Sequence, residues 1–187
     1  MGNLLHRIYV MPLSKLRFLI YFLIIIWSCI DYMVKKDRMK ARIWRFINCV
    51  GFFCIFFVIL SMTIVSRQTS GREVILMPFH FLVEAKIQPE ICRSMLMNVF
   101  LFFPLGLTLP FALPERWKGK ALLTVGFAFL LSTGIEFAQY YFHLGRAEVD
   151  DIICNTFGAF LGTLALLISR FRYKRMEQKE HLKSSEQ

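Results

Sequence analysis

The chain has 187 residues, of which 56% are apolar and 16% aromatic, and it carries a formal charge of +10 at pH 7. Its mean hydropathy of +0.51 is too high for an ordinary soluble domain of this length. The composition therefore excludes a soluble domain and predicts an integral membrane protein.

Five apolar stretches are long enough to cross a hydrocarbon core about 30 Å thick, which takes about 17 to 25 helical residues. They cover residues 16–34, 46–65, 95–113, 121–142 and 152–168. We therefore predict an all-α, polytopic membrane helical bundle of about five transmembrane helices. The first stretch resembles a secretory signal, but no small-residue cleavage site precedes a soluble region, so we expect it to stay as a helix.

The same pattern divides the chain into three parts. Residues 1–65 hold two N-terminal transmembrane helices joined by a basic connector, residues 66–168 form a core, and residues 169–187 are a basic tail. The core consists of an amphipathic outer loop and three transmembrane helices. Because this loop, residues 66–94, mixes apolar and charged residues, we expect it to lie along the membrane surface or to fold back over the bundle.

Positive charge is distributed unevenly between the two sides of the predicted bundle. Fifteen of the 23 Lys and Arg residues lie in the connector 35–45, the loop 114–120 and the tail. Cytoplasmic loops carry such an excess, which predicts a multi-pass protein with its C-terminus in the cytoplasm and the loops 66–94 and 143–151 outside. No DNA-binding or RNA-binding motif accompanies the charge, so no nucleic-acid partner is expected.

Cysteine and histidine provide little evidence for a cofactor. Four of the five Cys residues lie inside predicted spans, and the sequence has no disulfide framework and no Cys-x-x-Cys pair. Carboxylates with His143 could bind a metal, but their spacing matches no standard ligand pattern. We expect no cofactor and no metal.

The span at 95–113 contains Pro104, Gly106 and Pro110. Proline removes a backbone donor, so we expect a kinked or opened helix near Pro104. Inside lipid, such a defect persists only where neighbouring helices or water bond the freed carbonyls. The span should therefore be an interior one.

Polar residues recur near one end of the last three predicted spans. They are Asn98 in the first, Glu136 and Gln139 in the second, and Asp150, Asp151 and Asn155 in the third. A carboxylate within a membrane costs about 3 kcal/mol or more, so each needs a partner or a function. A short turn through Gly145 makes the last two helices antiparallel neighbours and brings their polar faces within reach.

Helical spacing and local chemistry extend this prediction. Gly158 and Gly162 lie on the same face as Asp151 and allow another helix to approach closely. Asp150 and Asp151 start the last helix, where carboxylates bond free backbone donors. Arg146 is the expected cation for Glu136, Glu148 or the aspartates.

Four sequence elements, in order, resemble the VanZ-like membrane proteins of bacteria. They are "PF" at 78–79, "NVFLFFPLG" at 98–106, "IEFAQ" at 135–139 and "GRAEVDDIICNTFGAFLG" at 145–162. The resemblance covers about half of the chain. It implies a set of candidate residues for ligand binding or for the family motif: Asn98, Pro104, Gly106, Glu136, Gln139, Gly145, Arg146, Asp150, Asp151, Asn155, Gly158 and Gly162.

The resemblance implies a role at the cell envelope, because the founding member of that family is associated with low-level resistance to teicoplanin, a lipoglycopeptide. We expect an outward-facing polar pocket for an amphiphile, an envelope lipid or a lipoglycopeptide, in a protein surrounded by the lipid bilayer. The alternatives are an intramembrane enzyme acting on a lipid-linked substrate and a non-catalytic structural protein. No catalytic motif is present, which favours binding over catalysis; the sequence assigns neither ligand nor oligomeric state.

Overall fold

The computed structural model describes residues 38–65, 67, 73–84, 90–114 and 116–185. Residues 45–172 form one compact unit, which contains all the contacts considered below. The other unit comprises residues 1–44 and 173–187; its described parts are the first turns of one long helix and the last turns of another.

Helices make up nearly all of the described chain. In order, the elements are α1 (Arg38–Leu60), a π-helical turn (Ser61–Val65), β1 (Glu73–Ile75), the single-turn α2 (Phe81–Glu84), α3 (Glu90–Ala112), α4 (Lys120–Tyr141), β2 (Arg146–Glu148) and α5 (Val149–Ser185).

Four of these helical segments are long and apolar enough to cross a membrane. They are Arg42–Val65, Glu90–Ala112, Lys120–Tyr141 and Val149–Phe171. The prediction of an all-α membrane helical bundle is therefore confirmed, and the protein is a membrane protein. The predicted span at 16–34 lies outside the described residues. The predicted spans at 46–65, 95–113, 121–142 and 152–168 match the observed helices to within five residues at each end.

Three glycines hold α3 and α5 together at backbone distance. A Cβ atom on Gly158 would overlap the carbonyl of Val99, one on Gly162 the carbonyl of Phe103, and one on Gly106 the carbonyl of Ala159. The predicted close approach at Gly158 and Gly162 is confirmed, and α3 is the helix that makes it.

Helix α3 runs without interruption through both of its prolines, so it does not open near Pro104. Pro110 has no N–H to donate to the carbonyl of Gly106 four residues earlier. The Thr163 hydroxyl of α5 shares its one proton between that carbonyl, at 3.2 Å, and the Ala159 carbonyl of its own helix, at 2.9 Å. A neighbouring helix thus bonds the freed group, as a proline inside a membrane helix requires.

The described residues 73–84 between α1 and α3 lie against the turn of the bundle, which agrees with one of the two arrangements expected for this loop. Its strand β1 pairs in parallel with β2, with Glu73 opposite Arg146 and Ile75 opposite Glu148. Residues 73–84, named the strap below, therefore lie against the turn that joins α4 to α5. The sequence did not predict these strands, because each has only three residues and little periodicity.

The glycine contacts predict a specific loss of stability. Gly158→Ala should destabilise the protein by about 1–3 kcal/mol, because the added methyl group has no space against the Val99 carbonyl. Gly134→Ala is the matched control: nothing lies within 4 Å of its added Cβ, and alanine favours a helix by about 0.5–1 kcal/mol. Thermal unfolding of both variants in detergent measures the difference. Equal midpoints would contradict the close packing of α3 and α5.

Candidate functional site

The predicted polar residues do lie at one end of the bundle. Asn98 is in the first half of α3, Glu136 and Gln139 are in the last two turns of α4, and Asp151 is in the first turn of α5. The π-helical turn after α1 lies at the same end, since Gln139 bonds it. We call this end of residues 45–172 the polar end.

Asp150 ties the strap to the start of α5. Its two carboxylate oxygens accept from the backbone N–H groups of Phe79 and Phe81, the second at 2.9 Å. Asp150 is 2% exposed, and the Phe79 backbone has a positive φ of 61°. The sequence predicts that this carboxylate accepts hydrogen bonds from the free N–H groups of its own helix. Both observed bonds come instead from a segment about 70 residues away.

Asp151 joins α5 to α3 and to the chain beyond α1. Its Oδ1 accepts from the Asn98 Nδ2 at 2.8 Å, and its Oδ2 lies 3.8 Å from an Arg67 guanidinium nitrogen. Arg67 was not identified as a site residue by sequence analysis. The sequence signal that could have identified Arg67 is its position two residues after the end of a span, from which its side chain can reach back to buried acids.

Glu136 joins α4 to β2. Its Oε2 accepts from the backbone N–H of Glu148 at 2.9 Å, and the residue is 5% exposed. Asp151 is likewise buried, at 7% exposed, in the first turn of α5. Two buried acids from different spans therefore lie at the same end of the bundle.

Arg146 has different partners from most of those expected. Its guanidinium pairs with Glu148 at 2.8 Å and with Glu84 of the strap at 3.3 Å. Of the expected partners only Glu148 is confirmed; Glu136 and the aspartates bond elsewhere because Arg146 lies on β2, on the strap side of the turn. Partial burial lowers the pKa of Arg146, but the Glu148 and Glu84 carboxylates outweigh it and raise that pKa overall.

Two buried amides add to the polar end, Gln139 close to the end of α4 and Asn155 one turn deeper in α5 than Asp151. Gln139 donates through Nε2 to the carbonyl of Thr63 in the π-helical turn at 2.8 Å. Asn155 donates to the Ser132 hydroxyl of α4 at 2.9 Å. π-Helical turns often occur at functional sites, so its contact with this turn keeps Gln139 among the candidate site residues.

Several candidates lie outside this arrangement. Gly106, Gly158 and Gly162 pack α3 against α5, and the carbonyl of Pro104 accepts from the Thr108 hydroxyl of its own helix. Gly145 makes the turn into β2, with a φ of 124° that suits glycine. These residues shape the frame of the site and do not line it. In the part of the chain that the structure describes, no group of three or more His, Cys, Asp or Glu side chains could hold a metal ion.

The Asp150 contacts predict how the strap is held. Asp150→Ala should raise amide exchange at Phe79 and Phe81 by about tenfold or more, because each N–H loses a hydrogen bond to a charged group, which is worth about 1.5–3 kcal/mol. Asp150→Asn keeps one acceptor oxygen and should give a smaller increase. Hydrogen exchange with mass spectrometry measures both. Unchanged exchange in Asp150→Ala would show that the strap is held by other contacts.

Comparison with known proteins identifies the family of this chain. The sequence profile described as VanZ/LLP1 matches residues 18–170. The chain is 35% identical over 88 residues to Protein VanZ of Enterococcus faecium; the alignment covers 47% of this chain and 51% of that protein. The chain thus spans about half the length of the curated relative it matches. No solved structure matches. The profile covers most of the chain, which belongs to the VanZ/LLP1 family.

Proposed function

We propose that this protein acts at the bacterial cell envelope, where its polar end binds an amphiphile or an envelope lipid. In doing so it lowers the access of lipoglycopeptides such as teicoplanin to the cell surface. The family membership and the resemblance to Protein VanZ support a role in resistance. The choice of ligand rests on the geometry of the polar end.

The single observation that carries the proposal is the pair of buried carboxylates, Glu136 and Asp151. They come from different spans, are only 5% and 7% exposed, and each accepts a hydrogen bond from another element of the chain. Burying two acidic groups in a membrane bundle is costly. Such a pair at one end of the spans offers a polar headgroup hydrogen-bond acceptors that the apolar, lipid-facing surface of the bundle lacks.

The proposal includes a location and an orientation. The bundle lies in the cytoplasmic membrane with its C-terminus in the cytoplasm, and the polar end faces outward. The support is the concentration of Lys and Arg in the loop 114–120 and in the chain after residue 169. In this orientation the polar end lies at the leaflet that a lipoglycopeptide meets first.

Cysteine labelling tests the orientation. Cys92 is exposed near the start of α3, so a variant that keeps only this cysteine should react with a membrane-impermeant maleimide in intact cells. A second variant has Lys118→Cys, also at an exposed position, as its only cysteine. It should react only after the cells are permeabilised. The reverse pattern would place the polar end in the cytoplasm and remove the proposed site from the outer surface.

A structural role is the second candidate, and a specific observation favours it. Asp150, Asp151 and Glu136 each accept from a distant part of the same chain. Such bonds fasten the strap and three helices together without any ligand. If fastening is their whole role, substitutions at the polar end should lower abundance and stability, and any folded protein that remains should be fully active.

Glu136→Gln separates the two functions. Glutamine keeps an acceptor oxygen for the Glu148 N–H, so the fold should persist, while the ionisable carboxyl group at the site is lost. We expect cells with this variant at normal membrane abundance to be as susceptible to teicoplanin as cells lacking the protein. Thr133→Ala is the control, since Thr133 is exposed on the same helix and bonds only its own backbone at Phe129.

The measurement is the minimum inhibitory concentration of teicoplanin, with abundance matched by immunoblot. Full protection by Glu136→Gln at equal abundance would remove the carboxylate pair from the function. Loss of protection that parallels loss of protein would favour the structural role.

A further inference from the structure

Four buried side chains at the polar end carry hydrogen-bond acceptors, and we call them the acceptor cluster. Glu136 and Gln139 lie one turn apart on one face of α4, and Asp151 and Asn155 lie one turn apart on the facing side of α5. The two helices meet here, since Asn155 bonds Ser132 and Glu136 bonds the residue just before α5.

The orientation of the Gln139 amide follows from its partner. A backbone carbonyl can only accept, so the nitrogen of Gln139 must face Thr63 and its oxygen must face away. That oxygen is buried in a residue 1% exposed, and it accepts no hydrogen bond from any described residue. The Oδ1 atom of Asn155 is likewise buried, with no donor among residues in the described ranges. Buried polar atoms are normally bonded, so these oxygens are open to a donor beyond the residues that the structure describes.

The charge of the region favours a cationic donor. Three acidic residues, Glu136, Asp151 and Glu148, lie at this end, and Arg146 is already paired with Glu148 and Glu84. Within the described parts of the chain, the cation paired with the acceptor cluster is Arg67, 3.8 Å from Asp151. This distance is too long for a hydrogen bond, and the Arg67 side chain is 36% exposed.

The geometry points to a primary ammonium group as the ligand of the acceptor cluster, with Arg67 as an intramolecular cation that the ligand displaces. A primary ammonium carries one positive charge and three N–H donors on a compact head, which suits two carboxylates and two amide oxygens. A quaternary ammonium has the charge but no donors, and a phosphate has the wrong charge. The inference rests on the proposed function and specifies the headgroup of the amphiphile as amine-bearing.

Native mass spectrometry of the purified protein tests the inference with three dioleoyl lipids: phosphatidylethanolamine, phosphatidylcholine and phosphatidylglycerol. We expect phosphatidylethanolamine to be retained about tenfold more than either of the others, because hydrogen bonds to charged groups are the strong ones. Glu136→Gln should reduce this preference. Glu84→Gln is the charge-matched control, since Glu84 lies at the same end but pairs with Arg146, and it should leave the preference unchanged.

The Arg67→Ala variant distinguishes displacement of Arg67 by the ligand from a purely structural role of Arg67. If Arg67 competes with the ligand, its removal should raise phosphatidylethanolamine retention several-fold, although it deletes an ion pair. If Arg67 only stabilises the fold, its removal should lower the melting temperature with no gain in binding, and this result would overturn the displacement mechanism. A competition with excess soluble ethanolamine identifies the source of the amine. Loss of bound lipid assigns the site to amines in general, and retained lipid assigns it to amine-bearing lipids.

The outcomes separate this inference from the proposed function. Equal retention of all three lipids, with reduced retention of all three in Glu136→Gln, would overturn ammonium recognition and leave amphiphile binding supported. Retention of none of the lipids would overturn amphiphile binding itself. Glu136→Gln and Arg67→Ala are both first examined by circular dichroism and size-exclusion chromatography, so that a misfolded variant is recognised before binding is compared.

Discussion

A carboxylate buried among membrane spans must find hydrogen-bond donors inside the protein, because the hydrocarbon core offers none. Asp150, Asp151 and Glu136 all meet this requirement with donors from other parts of the chain. The donors are backbone amides of the strap, a side-chain amide of α3 and a backbone amide of β2. Each carboxylate therefore fixes one segment relative to another.

This requirement explains why the strap folds back onto the bundle. Two short strands of three residues each would not pair stably alone. Asp150 adds two bonds to the amides just after β1, and the Arg146 pair with Glu84 adds another contact between the same two segments. The strap is held by several weak contacts that act together at one turn.

The helices supply the rigid frame on which these contacts depend. Glycines bring the backbones of α3 and α5 together, and Thr163 bonds the carbonyl that Pro110 frees in α3. Small residues give close van der Waals packing, which drives helix association where lipid removes the hydrophobic effect between helices. The position of Asn98 opposite Asp151 follows from this packing, since these residues lie on the same pair of helices.

The sequence by itself determined the membrane class, the four described spans, the close glycine contact and the group of polar residues near one end. Each depends on composition or on the helical repeat, which are local properties of the chain. Only the tertiary structure decided which donor each carboxylate meets, that Arg146 pairs with Glu84 and Glu148, and that Arg67 approaches Asp151. These partners are up to about 84 residues apart in the sequence, and their pairing depends on how the helices and the strap pack in three dimensions, which no local pattern encodes.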